Sequence, residues 1–349
     1  VVETGGAGTL QQSIGALAVS PECKALVAIF RSSEDAKRLG KLPDGSPARE
    51  LSTAGVIGGG IMGAGIASVL AGRGLAVRLS DLAREPLDRA LAEHRADVLK
   101  RLAKRRIQRH EADAAIDRLT VATDLSGQGA ADIVIEAVAE KLDVKRKVLG
   151  AVAGLAGPDA SLATNTSSLS ADAIAAELPG PERVVGMHFF NPVPKMPLVE
   201  VVRGKATSEA VVRATARLAL RAGKTPVITT DSPGFVVNRL LGPYLDEAAR
   251  LFVAGVESER LDRVVRGFGM PMGPLELLDE VGFDIAVHAA ESLGAAFGER
   301  MRTSPLLGEM LAAGLTGKKG GAGFYLYGER AGGKSKKPNP DVARFVDVR

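Results

Sequence analysis

Between about Leu51 and Thr230, short apolar runs alternate with helix-compatible stretches; beyond Asp231 the pattern turns to helices broken by glycine and proline. Ala54–Ile57, Leu75 to Asp81, Val121–Ala122, Ile133–Ile135, Ser161–Thr164, Val184–His188, Leu198–Val202 and Thr225–Thr230 read as strands. They are short, apolar and rich in β-branched residues. Pro86 to Leu119 contains no glycine and no further proline, and it predicts two helices in a hairpin. Before this region, Ser20-Pro21-Glu22 has the order of an N-cap, a first helical position and an acidic first turn. Leu26, Ile29 and Phe30 give that helix an apolar face, Gly40 ends it, and Lys-Leu-Pro-Asp-Gly-Ser-Pro reads as a linker. Ser232-Pro233 is expected to start the first helix of the second region, and Met270-Pro-Met-Gly-Pro274 to separate two others. The expected organisation is a helix and linker over 1–50, an α/β domain over 51–231, a helical domain over 232–327 and a tail over 328–349, mobile from Gly328 to Pro340.

Composition narrows the class. With 349 residues and 46% hydrophobic content the chain can bury two cores, and a charged fraction of 25% is ordinary for a globular protein. No apolar run is long enough to span a bilayer, and the start at Val1 shows no basic segment followed by an apolar one, so neither a membrane span nor a secretory signal is expected. The absence of an initiator Met is read as a processed or excised start. A single cysteine, Cys23, excludes an internal disulfide and a thiolate metal cluster, and no metal is expected. It points to a reducing, cytoplasmic compartment. The net charge of +4 is gathered in Lys100, Arg101, Lys104, Arg105, Arg106 and Arg109, and in Lys334, Lys336 and Lys337. Only 4% of residues are aromatic and none interleaves with the basic clusters, which argues against nucleic acid. A solvated helix face, or contact with a phosphate-bearing small molecule, remains.

One glycine pattern then gives the α/β region a ligand. Ala54-Gly-Val-Ile leads into Gly58-Gly-Gly60-Ile-Met-Gly63, a helix-compatible stretch follows, and a second apolar run ends at Asp81. The first glycine permits a tight turn, the second lets a pyrophosphate approach the backbone, and the third lets helix pack on strand. The helix N-terminus offers unpaired N–H groups and a positive dipole end. A carboxylate at the second strand's end accepts from both ribose hydroxyls and repels a 2′-phosphate, so Asp81 points to NAD rather than NADP. The fold class expected is α/β, a Rossmann-type doubly wound sheet followed by an all-helical C-terminal domain.

Chemistry is expected near the sheet's carboxyl edge. His188 ends an apolar strand, and a histidine there has the near-neutral basicity of a general base. Glu200 lies on a neighbouring or returning strand, where a carboxylate against the second ring nitrogen would fix the tautomer. Ser167 and Asn238 offer a hydroxyl and an amide to an oxygen on which charge develops. Each also has a plain structural reading, as a core histidine, a surface strand residue or a helix cap, and spacing alone does not bring the four together.

Longer strings do more. Asn165-Thr-Ser-Ser-Leu, Gly186-Met-His-Phe-Phe-Asn-Pro-Val-Pro, Leu198-Val-Glu-Val-Val and Asp231-Ser-Pro-Gly-Phe-Val-Val-Asn-Arg resemble signatures of the L-3-hydroxyacyl-CoA dehydrogenase family. So do Pro271-Met-Gly-Pro-Leu-Glu-Leu-Leu-Asp and Lys318-Lys-Gly-Gly-Ala-Gly-Phe-Tyr, all in family order from about Leu51 to Tyr327. The resemblance implies that His188 is the catalytic base, Glu200 its partner, and Ser167 and Asn238 the groups that hold the reacting oxygen. Gly58, Gly60, Gly63 and Asp81 match the NAD site. Glu140, Lys145, Asn191 and Lys319 match contacts near its nicotinamide end, with Lys145 also on the substrate side, and Lys104 matches a lysine that meets the CoA phosphates. The implied reaction converts (3S)-3-hydroxyacyl-CoA to 3-ketoacyl-CoA in fatty-acid β-oxidation. The helix at residues 20–39 resembles the segment before the dehydrogenase part of multifunctional fatty-acid oxidation enzymes. The chain has room for neither a hydratase nor a second helical copy, so a homodimer through the helical domain, or a place in a larger multifunctional chain, is expected. Two rival readings are a dehydrogenase of a hydroxy acid without CoA and a non-catalytic NAD-binding fragment.

Overall fold

The computed structural model describes residues 14–332 and 335–346, and the chain divides into two compact units, Val1–Asp231 and Ser232–Arg349. Lys334, counted above among the basic residues, lies outside the described residues.

The first unit is built on an eight-stranded sheet in the order β3-β2-β1-β4-β5-β6-β7-β8. Its strands are β1 (Thr53–Ile57), β2 (Ala76–Ser80), β3 (Leu119–Ala122), β4 (Ile133–Glu136), β5 (Ser161–Thr164), β6 (Val184–Phe189), β7 (Leu198–Arg203) and β8 (Thr225–Thr230). Pairing is parallel from β3 through β6; β7 then runs antiparallel to β6, and β8 parallel to β7. The chain winds outward from β1 to β3, then returns to β4 on the other side of β1. That reversal makes the carboxyl ends of β1 and β4 the topological switch point of a Rossmann-type sheet, the place where such sheets bind ligands. β4, β5 and β6 are buried along their whole lengths, which is why they read as apolar runs without alternation.

Five helices of this unit bear on the expectations above. They are α1 (Pro21–Arg38), α2 (Ile61–Gly72), α3 (Arg84–Ala103), α4 (Arg109–Asp117) and α5 (Leu142–Ala153). α2 buries Gly63, Ile66, Ala67, Leu70 and Ala71, so apolar small and large residues alternate where it lies on the sheet. α3 and α4 form the expected hairpin and meet through Val98, Ala112 and Ala115. His94, buried on α3, hydrogen-bonds Ser68 of α2 at 2.8 Å and the Ala115 carbonyl at 2.9 Å. α1 carries the expected Ser20 cap, whose side chain accepts from the Cys23 amide. Its apolar face does not enter a core: Leu26 is 68% and Phe30 65% exposed. The expected linker, residues 41–47, is exposed apart from half-buried Leu42. The residues on either side of it, Gly40 and Ala48, are buried, Gly40 against Arg217 of the helix Glu209–Arg221, from which Arg217 donates to the Ala48 carbonyl.

The second unit packs around Phe252, Leu275, Leu278, Phe283, Met310 and Phe324. Two fully buried carboxylates staple it. Asp262 accepts from the amides of Leu275 and Glu276 at the start of the helix Pro274–Val281 and from the Tyr325 hydroxyl at 2.7 Å. Asp279 accepts from the Phe324 and Tyr325 amides and from the Tyr327 hydroxyl. Burial pushes Asp279 up to about 7 against the pull of those hydrogen bonds. The Pro-Met-Gly-Pro-Leu-Glu-Leu-Leu-Asp and Gly-Phe-Tyr strings thus bring a helix start and a strand onto the same pair of acids.

Two expectations change here. The first helix of this unit starts at Val237, not at Ser232-Pro233. Gly234 at φ 73° and Phe235 at φ 46° hold a left-handed backbone that no right-handed helix can pass through, and the buried Phe235 ring fixes it there. The stretch from Gly328 to Pro340, expected to be mobile, carries β10 (Lys336–Pro338), paired antiparallel with β9 (Tyr325–Tyr327). Val342 and Phe345 join the core of the unit, and Lys336 lies 4.2 Å over the Tyr325 ring and 2.6 Å from Glu276. Apolar residues spaced along a Lys- and Pro-rich stretch are a weak signal, which is why the composition misled.

Candidate active site

The glycine turn after β1 is shaped by backbone contacts that a side chain would break. Gly58 has φ 107°, and a Cβ there would lie 2.6 Å from the Ala137 carbonyl oxygen. A Cβ on Gly63 would fall on the Gly58 carbonyl oxygen, far inside van der Waals contact. At Gly60, by contrast, nothing lies within 4 Å of a Cβ, and this residue caps α2 without any side-chain hydrogen bond. The first amides of α2 therefore face an open cradle, which suits a pyrophosphate. Asp81, one residue past β2, accepts from the Gly59 amide at 2.6 Å and from the Ala83 amide at 2.9 Å. That places its carboxylate at the rim of the cradle, where a ribose would lie. The residues present fit a dinucleotide. Beside the cradle, a cleft of about 290 Å3 opens between α2, α3 and the loop after β6, lined by Gly60, Ala64, Ser68, Glu93, Asp97 and Asn191.

The register of β6 against β7 sets His188 directly opposite Glu200. Cross-strand neighbours share a face of the sheet, so the two side chains meet: His188 Nδ1 lies 2.7 Å from Glu200 Oε2. Both residues are buried, and the Phe190 ring packs 4.5 Å from the imidazole. A carboxylate on Nδ1 fixes the tautomer and leaves proton exchange to Nε2.

The turn after β5 is tied to this pair. Asn165 accepts from the Phe189 amide at 2.8 Å, next to His188. Two residues on, Ser167 donates its amide to Glu140 Oε1 at 2.9 Å; the same oxygen accepts from the Ser168 amide and the Thr166 hydroxyl. Glu140 Oε2 is 3.1 Å from Lys145, on the first turn of α5. Burial works to raise Glu140, but the Lys145 ammonium and the Thr166 and Ser167 hydrogen bonds outweigh it and hold the carboxyl at about 2.

Comparison with known proteins agrees with this geometry. Residues 53–232 match the NAD binding domain of 3-hydroxyacyl-CoA dehydrogenase, and residues 234–327 match the C-terminal domain. The chain belongs to the 3-hydroxyacyl-CoA dehydrogenase family. It shares 42% identity with a 3-hydroxybutyryl-CoA dehydrogenase from Escherichia coli K12 (TM-score 0.77), across 80% of this chain and 60% of that one. The chain thus spans less than two thirds of that relative. A (S)-3-hydroxybutyryl-CoA dehydrogenase from Ralstonia eutropha is 37% identical (TM-score 0.77), across 80% of this chain and 100% of that one. The dehydrogenase part of a multifunctional enzyme from C. elegans is 25% identical (TM-score 0.62), across 90% of this chain and 74% of that one.

Within this NAD-dependent dehydrogenase family member, the structure gathers His188, Glu200 and the Ser167 turn at the carboxyl edge of the sheet, with Glu140 and Lys145 beneath that turn. Gly58, Gly60, Gly63 and Asp81 form the cradle, and Asn191 borders the cleft beside it. Lys104 follows α3 as an exposed residue among exposed Lys100, Arg101, Arg105 and Arg106. Asn238 and Lys319 belong to the second unit: Asn238 in the first turn of the helix Val237–Val253, Lys319 paired with Asp284 at 2.5 Å. Sequence reasoning gave no role to Asn165, Thr164, Thr166 or Glu136. A carboxylate closing the otherwise apolar Ile133-Val-Ile135 run is the signal that could have found Glu136.

Proposed function

We propose that the chain oxidises (3S)-3-hydroxyacyl-CoA to 3-ketoacyl-CoA with NAD, the redox step of fatty-acid β-oxidation. The observation that carries this reading is the buried His188–Glu200 pair, 2.7 Å apart, on the same sheet edge as the dinucleotide cradle. His188 takes the proton of the 3-hydroxyl at Nε2, while Glu200 holds the Nδ1 proton and offsets the charge of the imidazolium. Ser167 hydrogen-bonds the oxygen as it becomes a carbonyl. Gly58, Gly60, Gly63 and Asp81 would hold NAD, which when bound would supply the hydride acceptor for C3. Lys104 and its basic neighbours hold the CoA phosphates. The roles of Asn238 and Lys319 rest on the family resemblance alone.

Mixing the chain with acetoacetyl-CoA and NADH and following NADH absorbance tests the reading, with free acetoacetate as control. Oxidation of NADH is expected with the thioester and not with the free acid. Equal turnover of the free acid points to a substrate without CoA, and NADH binding with no turnover of either points to a non-catalytic fragment.

No helix among the described residues is long and apolar enough to cross a membrane. A cytoplasmic location is proposed from the reading of Cys23 as a reduced thiol. A homodimer through the helical unit is proposed as well: Leu240, Val264, Ile285 and Phe268, the last 88% exposed, leave apolar side chains on its surface. Light scattering at micromolar concentration is expected to give twice the mass of one chain, and Phe268→Glu to reduce it. A monomeric wild-type chain defeats the dimer and leaves the place in a larger multifunctional chain as the alternative.

A further inference from the structure

The carboxyl end of β4 buries a row of charges whose innermost member, Glu136, has no part in the proposed reaction. Glu136, fully buried, has both carboxylate oxygens 3.1 Å from the Lys145 ammonium. It also accepts from the Thr164 hydroxyl and from the Val138 amide at 3.2 Å. Lys145 is itself only 1% exposed and continues to Glu140 at 3.1 Å. Glu140 then accepts from the Thr166 hydroxyl at 2.5 Å, the Ser167 amide at 2.9 Å, and the Ser168 amide and hydroxyl at 3.1 Å each.

Stability does not explain this arrangement. A buried ion pair seldom outperforms well-packed apolar residues, and the rest of β4 shows that Ile and Val pack at this depth. What the row does have is direction. It runs from the sheet's interior to the turn that carries Ser167, and it ends on the Ser167 and Ser168 amides and the Thr166 and Ser168 hydroxyls. Asn165 ties the other side of the same turn to the strand of His188.

We propose that Glu136 is a positioning residue: by anchoring Lys145 it fixes Glu140, and through Glu140 the turn that presents Ser167 beside the His188 strand. Its consequence for catalysis rests on the function proposed above; its consequence for the turn does not. In Glu136→Gln the side chain keeps its shape and an oxygen for Thr164, but an amide group replaces one carboxylate oxygen and the countercharge is lost. Lys145 then has Glu140 as its only carboxylate in the row, and the more exposed Glu140 is drawn off the turn.

Two readouts test this on the full chain. Hydrogen exchange in peptides covering residues 165–169 is expected to be about tenfold faster in E136Q, with β1 and β6 exchanging as in wild type. The kcat for acetoacetyl-CoA reduction is expected to fall by about 10- to 100-fold, because small displacements of positioned groups cost that much, with little change in KM for NADH. Glu136→Asp retains the charge and is expected to recover part of both losses. Unchanged exchange at the turn in E136Q overturns the proposal whatever the activity. So does wild-type kcat in E136Q when the wild-type chain turns over. If E136Q does not fold, Glu140→Ala cuts the same row at its more exposed end, and wild-type exchange at residues 165–169 in that variant overturns the proposal. A wild-type chain that leaves acetoacetyl-CoA untouched defeats the proposed function and leaves the exchange experiment to decide the role of Glu136.

Discussion

His188→Ala lowers kcat for acetoacetyl-CoA reduction by about 10²-fold or more, the range associated with loss of a general acid or base. In the reductive direction the same imidazole returns the proton to the 3-oxygen. The buried pair makes Glu200→Gln costly too: glutamine cannot offset an imidazolium, and its amide group can present a donor to Nδ1, so proton exchange at Nε2 is disfavoured. A drop of about 10²-fold is expected there as well. NADH affinity, read by fluorescence titration, is expected to stay near wild type in both, because neither residue belongs to the glycine cradle. Wild-type kcat in both variants, with NADH binding intact, removes His188 from the chemistry.

Gly63→Ala has the largest expected effect on the cofactor. The added methyl group meets the Gly58 carbonyl oxygen, and its next contact is the Gly58 carbonyl carbon at 3.0 Å. Both are backbone atoms of the turn itself, so α2 must withdraw from β1. Overpacking of this kind costs about 1–3 kcal/mol in a well-packed core. The same withdrawal carries the first amides of α2 away from the pyrophosphate, and a loss of about 10²-fold in NADH affinity is expected, equivalent to about 2.8 kcal/mol. Gly60→Ala is the informative contrast. Nothing lies within 4 Å of its Cβ, so the fold should tolerate it, yet the methyl group occupies the approach of the pyrophosphate. The expected pattern is a lowered Tm with weakened binding in G63A, and an unchanged Tm with weakened binding in G60A. Full NADH affinity in G60A means that the open cradle is not where the dinucleotide lies.

Much of this was legible from the residues. The buried strands were visible because they are covered on both faces, and such strands read as unbroken apolar runs. The glycine turn and Asp81 were visible because their spacing is imposed by one ligand within one βαβ unit. The α3–α4 hairpin was visible because it lacks helix breakers over its length. Failures came where a local signal competed with tertiary packing. Ser232-Pro233 looks like a helix start, but the buried Phe235 at φ 46° delays the helix to Val237. Lys336 looks like part of a solvated tail, but it lies against Tyr325 and Glu276. The α1 face of Leu26 and Phe30 has helical spacing and yet remains on the surface.

Residue order by itself determined the fold class, the cradle and, through long strings, the identity of the residues at issue, because each depends on neighbours within a few tens of positions. Only the tertiary structure decided that His188 and Glu200 meet. They do so through one antiparallel register between β6 and β7, and a one-residue slip would send Glu200 to the other face. The row from Glu136 to Ser167 was likewise settled by the fold, since it joins β4, α5 and the turn after β5. Parallel pairing aligns the ends of strands that are far apart in sequence, as Glu136 opposite Thr164 shows, and no local pattern records which side chains then share a buried edge.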